Sequence, residues 1–324
     1  MASVSAEILR LLKAKDRKIV SGEEALRGLM ADVRRQVLDQ LRRATGGSYT
    51  ALLLKQQLTD IERYLSAFES AAGLEMSSLL DAAWDMGGGL VPAAVRAGGM
   101  HVAFAHIPGT VLQVLKDYSF HKISGLAADA FTRIRGVLSL GILGQQTPHE
   151  VVQAIAGNLV SPGVFNSLED RAEVIAGVEM GRAYSTATQE SMRTASGSVS
   201  GLKKQWWHAG HPKRPRLNHL NLHGQVRPVN EPFTIGSLAM MYPRDPNAPA
   251  SEVIRCGCDH VPYHEEWGID EALPIFNECG EEIARRGERK ASDPILTGKF
   301  DVGRIGSAAS GCAHDAGCVC YKRL

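Results

Sequence analysis

The chain has 324 residues, 44% hydrophobic and 22% charged, with a net charge of +1. That length can bury a sizeable core and predicts two domains, and near-zero net charge excludes a partner chosen by global charge alone. The N-terminus lacks a long apolar core and a small-residue cleavage site, which argues against a secretory signal. The most apolar region, residues 86–107, is interrupted by Pro92, Arg96 and His101 and makes a poor membrane span. Six cysteines in such a chain point to reduced thiols or metal ligands before disulfides.

In chain order, Ser21 and Glu24 form a capping-box pattern, and Leu26, Met30, Val33, Val37 and Leu41 follow at helical spacing. Arg42 and Arg43 suit a helix C-terminus, and Gly46-Gly47 is a stop. A second apolar stripe runs Leu54, Leu58, Ile61, Leu65, Phe68 and Ala72, as an ordinary bundle face, a helical hairpin or a coiled coil. The glycines at 87–89 and 98–99 are expected to break any long helix. No Gly-Lys-Ser/Thr follows the triplet, so it is not a nucleotide loop. Residues 126–143 read as a helix ending at Gly144, and Thr147-Pro148 starts another that carries Val151 and Ile155, before a turn at 158–162. Ser167 caps the next helix, which runs through Ile175, Val178 and Ala183 towards Gln189. Its Glu179 and Arg182 are spaced to pair on the surface. The small, polar residues 194–201 read as a linker.

After Lys203 the pattern changes. Prolines at 212, 215, 228, 232, 243, 246 and 249 exclude long helices. Short strands are expected at 225–229 and 252–256, and a helix at 269–286. The last stretch, rich in small and polar residues, reads as a tail. The fold class is therefore mainly α with a small α+β C-terminal module: a helical region over residues 1–200, the module over 201–268, and a C-terminal helix with a cysteine-containing tail over 269–324.

Chemistry concentrates in the module. His219 and His223 are four residues apart and share a face if one helical turn carries both. Cys256 and Cys258 share a face of a strand, with Gly257 between them allowing a kink. Two readings fit: a closed tetrahedral zinc site of His219, His223, Cys256 and Cys258, or two buried thiols beside satisfied histidines. A second cluster, Cys312, His314, Cys318 and Cys320, has few apolar neighbours and reads as tail. From Ser191 to Asn230 there is no acidic residue. Lys203, Lys204, Lys213, Arg214, Arg216 and Arg227 form either a face for DNA or an acidic partner, or a solvated loop face. No paired-carboxylate, Gly-x-Ser-x-Gly, Walker or zinc-protease pattern is present, so the chain is read as a non-enzyme.

One order of residues is more specific. Trp206, Arg216-x-x-His219-x-x-Leu222-His223-Gly224, Glu231-Pro-Phe233, Tyr242-Pro-x-Asp-Pro246 and Cys256-Gly-Cys258 succeed one another as in the phage head morphogenesis family, the Mu F-like minor head proteins. The helix over 167–189, with Glu179 and Arg182-Ala183, also resembles that family's helical segment, so the likeness covers residues 122–262. Where the family often has Cys-Arg-Cys, this chain has Cys-Gly-Cys. The resemblance implies a Mu F-like module in a virion protein, present in few copies inside the head and in the host cytoplasm during assembly. It also implies partnership with the portal protein, other capsid or scaffold proteins and packaged DNA, with no membrane, in capsid assembly and in DNA packaging or delivery. A metal-dependent nuclease, or a DNA-binding module alone, is the rival from another class.

Overall fold

The computed structural model describes residues 4–43, 51–105, 107–142, 148–158, 167–208, 216–235, 238–267, 274–276 and 282–285, and every statement below concerns these. The stops at Gly46-Gly47 and Gly144, the cap at Thr147, Lys213, Arg214 and the 312–320 cluster lie outside them. The fold is mainly α, with a small antiparallel sheet in its C-terminal part. The long helices are α1 (Val4–Arg43), α2 (Ala51–Ala97), α3 (Thr110–Ile142), α4 (Pro148–Asn158) and α5 (Leu168–Ser196). No described helix is long and apolar enough to cross a membrane.

Two compact units divide the chain, one formed by residues 14–84 with 108–183. It is a bundle of antiparallel neighbours. The α1 stripe Leu26, Met30, Val33, Val37 and Leu41 is buried, as are Ile61, Leu65, Phe68 and Ala72 of α2. Polar contacts along the seams fix the directions. Arg27 meets Glu173 at 3.1 Å and Arg34 meets Glu169 at 3.3 Å, so α5 runs against α1. Gln40 donates to Asp60, and Lys116 pairs with Asp81, setting α2 against α1 and α3 against α2. Ser167 caps α5 as expected, its Oγ accepting the Asp170 N–H at 2.9 Å. Ser21 caps nothing: α1 starts seventeen residues earlier, at Val4, because Val4, Ile8 and Leu12 extend the buried stripe towards the N-terminus. α3 likewise starts at Thr110 and not at 126. Glu179 and Arg182 do pair, but not on the surface. Both are buried, and the Arg182 guanidinium also lies 5.3 Å over the Tyr118 ring. Burial pushes the Glu179 carboxyl up, opposed by Arg182.

The other unit comprises residues 1–13, 85–107 and the chain from 184 onward. Here α2 runs straight through the glycines at 87–89, which are a close-packing surface and not a break. A Cβ on Gly87 would strike the Tyr184 carbonyl of α5, so only glycine lets the two helices approach this far. Pro92, inside α2, cannot bond the Gly88 carbonyl. Ser191 of α5 donates to that oxygen at 3.1 Å, and Thr188 donates to the Gly87 carbonyl at 3.2 Å. Below this crossing Val91, Val95, Met192, Ala195, Val199, Leu202 and Val229 form one core. Residues 197–202 are consequently docked and do not form a free linker. Val199 is buried, and the Ser198 and Val199 amides both donate to the Ala195 carbonyl.

The sheet has order β2-β1-β5, all antiparallel, from β1 (Lys203–His208), β2 (Val226–Pro228) and β5 (Cys258–Tyr263). The helix α6 (Leu217–Leu222) lies between β1 and β2 in sequence. A hairpin of β3 (Phe233–Ile235) and β4 (Leu238–Met240) follows, then the short α7 (Ala250–Val253). α7 occupies the place where a strand at 252–256 was expected: Pro249 starts it, and the Ile254 amide closes it on the Ala250 carbonyl. Instead of a helix over 269–286 there is a strand pair, β6 (Pro274–Phe276) with β7 (Glu282–Arg285). Pro274 at a strand start and β-branched Ile275 and Ile283 fit that outcome better than helical spacing does.

Candidate metal centre

Alternation along β1 sends Lys204, Trp206 and His208 to one face of the sheet and Gln205 and Trp207 to the other. Across from them on β5, Trp206 is opposite His260 and His208 is opposite Cys258. Trp206, Leu222, Phe233, Met240, Cys256 and Cys258 close into one buried cluster on that face. The chain reaches it from α7 through Arg255, whose φ of +55° is in the left-handed region. The turn that brings the two sulfurs together is therefore made at Arg255, and Gly257 has no such φ.

Three donors converge there. His219, Cys256 and Cys258 are buried, and their ligand atoms all lie within 4.8 Å of one another. The group can hold a metal ion. His219 Nδ1 stands 3.5 Å from the Cys256 sulfur and 3.6 Å from the Cys258 sulfur. Tetrahedral bonds of about 2.3 Å to sulfur and about 2.0 Å to nitrogen give an N···S edge of about 3.5 Å, so these spacings match one ion among them. The other ring nitrogen, Nε2, lies 2.8 Å from the Glu252 carboxylate, which accepts its proton and leaves Nδ1 with its lone pair towards the sulfurs. Asn218 donates to the same carboxylate oxygen at 3.2 Å.

The surroundings favour thiolate at one sulfur. The Cys258 side chain, then His219 and Arg244, hold the Cys256 thiol well below its ordinary range against the effect of burial. Burial, with the neighbouring Cys256, pushes Cys258 well above. Arg244 donates to the Cys258 carbonyl at 2.9 Å. The Trp206 indole N–H sits beside the Cys258 sulfur and favours its charged form, though outside hydrogen-bond geometry.

His223 does not join this group. α6 ends at Leu222, so the helical turn that would carry His219 and His223 together stops one residue short. The His223 ring lies 4.9 Å from Trp207, on the opposite side of β1 from Trp206, and its Nδ1 accepts the His208 amide at 2.9 Å. Sequence reasoning passed over His208, whose Nδ1 is 3.5 Å from the Cys258 sulfur. Reading Lys203–His208 as a strand would have placed it on the Trp206 face.

Among the described residues, four of the basic side chains have structural partners. Lys204 is fully buried and cannot make the contact expected of it in the folded state. Its Nζ donates to the Met241 carbonyl at 2.7 Å and to Gln189 Oε1 at 3.3 Å, 5.0 Å over the Phe233 ring. Burial lowers its pKa to about 8, against the pull of Asp245 and Glu231. Lys203 pairs with Glu265 at 2.6 Å, Arg216 donates to the Ile254 carbonyl at 2.7 Å, and Arg227 donates to Thr234 Oγ1 at 3.0 Å. His260, stacked on Tyr242, is fully buried, and burial followed by Lys204 holds its pKa well below the ordinary imidazole value.

No family model matches the chain. No solved structure matches it either. Among curated proteins, the uncharacterized protein YqbB of Bacillus subtilis (strain 168) is 35% identical over 154 residues, 42% of this chain and 48% of the relative. The chain thus spans about half the length of that relative, whose name states no activity.

Proposed function

We propose that this chain is a minor head protein of a tailed phage or prophage. In this reading it associates with the portal and acts in capsid assembly and in DNA packaging or delivery. The observation that carries the reading is that residues from four of the five segments of the ordered motif pack in one buried cluster. Trp206, Leu222, Phe233, Cys256 and Cys258 share a core, and Arg216 is tied to the Ile254 carbonyl. Asp245 accepts the Met241 and Asn247 amides at 2.8 and 2.9 Å, which shapes the turn of Tyr242–Pro246. The motif thus behaves as the specification of one fold.

The metal in this proposal is zinc, held by His219, Cys256 and Cys258 as a structural ion. Two thiols and an imidazole suit zinc, and burial of all three donors suits a closed site over a catalytic one. When bound, zinc would cross-link α6 to the segment between α7 and β5, in a module whose apolar core is small.

The test is mass spectrometry of purified particles from a strain carrying the gene, with and without its deletion. The expected result is the protein in heads at a few copies per particle, and defective or DNA-poor heads on deletion. Particles that lack the protein and assemble normally without it would overturn the reading. Metal-dependent cleavage of plasmid DNA by the purified chain, lost in His219→Ala, would replace it with the nuclease.

A further inference from the structure

We infer that His208, and not His223, is the fourth ligand of the centre, making it a two-histidine, two-cysteine site. This rests on the metal reading proposed above. Three donors leave a tetrahedral ion one position short, and closed structural sites fill all four. The fourth donor must share the sheet face that carries Cys258. Register supplies it: His208 is the cross-strand partner of Cys258, and directly opposite residues of an antiparallel pair point to the same side.

Distance agrees. His208 Nδ1 lies 3.5 Å from the Cys258 sulfur, the same length as the His219–Cys256 edge. His208 is not within 4.8 Å of the whole trio, so binding requires its ring to move closer to the other two donors.

The other neighbours are excluded by their bonds. Glu252 lies beyond His219, on the Nε2 side of the ring. His223 Nδ1 receives the His208 amide, which makes His223 a positioning residue: it fixes the main chain from which the fourth ligand projects. Two tryptophans then flank His219 of α6 and His223 just beyond its end. Trp206 meets the ligand His219 edge-on at 5.5 Å, and Trp207 meets the positioning His223 at 4.9 Å.

The test uses the full chain, reduced, stripped and reloaded with zinc or cobalt(II). X-ray absorption at the metal edge counts sulfurs and imidazoles, and cobalt titration gives affinity. The wild type should bind one metal per chain with two sulfurs and two imidazoles. His208→Ala should drop to one imidazole and lose at least tenfold in affinity. His208→Cys should gain a third sulfur, a readout that does not depend on loss. His223→Ala should keep both imidazoles while weakening binding by about tenfold, as supporting residues do. An unchanged imidazole count in His208→Ala, with binding abolished in Cys256→Ser, would remove His208 and leave the metal reading standing. Loss of an imidazole in His223→Ala would restore the quartet read from sequence. No metal on the wild type would overturn both.

Discussion

Lys204 shows how a single side chain changes meaning between sequence and fold. In a run without acidic residues it reads as part of a charged face, yet its ammonium is enclosed by Gln189, the Met241 carbonyl and the Phe233 ring. Burial lowers its pKa from 10.5 to about 8. Between those values the unfolded chain holds a proton that the folded chain has released, so this group makes stability rise with pH across that window. Below about pH 8 the lysine is charged in both states and the burial cost is felt in full. Lys204→Met removes the titration. The wild type should therefore gain on the variant as pH goes from about 7.5 to about 10, read as the difference in urea midpoints. A difference that stays constant across that range would show that Lys204 keeps its ordinary pKa. His260 gives a second test at this scale. Neither ring nitrogen has a partner among the described residues, so exchange for an apolar ring removes desolvated polar atoms and no bond. His260→Phe should melt at or above the wild-type temperature. A fall of several degrees would mean that the nitrogens do have a partner. At the centre itself, the ligand-bearing pair Cys256 and Cys258 and His219 were legible from residue type and spacing. His223 lies apart from the trio because α6 ends before it, and the place of His208 opposite Cys258 depends on a strand register that spacing alone does not give.

At the scale of elements, the crossing of α2 and α5 turns on small residues. Gly87 faces the Tyr184 carbonyl, whereas a Cβ at Gly89 meets nothing within 4 Å. The two substitutions should therefore move stability in opposite directions. Gly87→Ala forces two backbones apart and should cost about 1–3 kcal/mol, while Gly89→Ala gains about 0.5–1 kcal/mol of helix propensity. Ser191→Ala should cost about 1–3 kcal/mol, because it strips the partner from the Gly88 carbonyl that Pro92 leaves without a helical bond. Equal effects at 87 and 89 would mean that α2 and α5 do not approach this closely. The same crossing explains what was and was not legible in the elements. The α1 and α2 stripes and the Ser167 cap are local signals, and each has its counterpart in the fold. Glycines and a proline mark a break only when no neighbour satisfies the backbone. Here the neighbour is a helix some hundred residues away in sequence, so a local reading could not see it. The same holds for Glu179 and Arg182, whose spacing predicts the pair while only the surrounding helices decide that it is buried.

For the molecule as a whole, metal loss should strike its secondary structure unevenly. Most helix lies in α1 to α5, built on apolar stripes that need no ion. The candidate ligands instead join α6 to the start of β5 and the turn before it, in a sheet whose strands are three to six residues long. Three of the chain's four tryptophans, Trp206, Trp207 and Trp267, belong to the unit that carries the centre, and Trp84 belongs to the other. Trp206 is fully buried against the candidate ligand residues, so its emission reports on the site directly. A strong chelator added to the reduced full chain should shift tryptophan emission to the red and lower the first melting transition, while helical ellipticity falls only slightly. Re-addition of zinc should restore both signals, and Cys256→Ser should behave like the chelated wild type before any chelator is added. The Trp84→Phe variant, carried through the same series, confines the emission to the unit with the centre. Loss of helix in step with the fluorescence would show that the two units unfold as one cooperative body. Unchanged emission and melting after chelation would show that the trio of His219, Cys256 and Cys258 is held by packing and needs no ion.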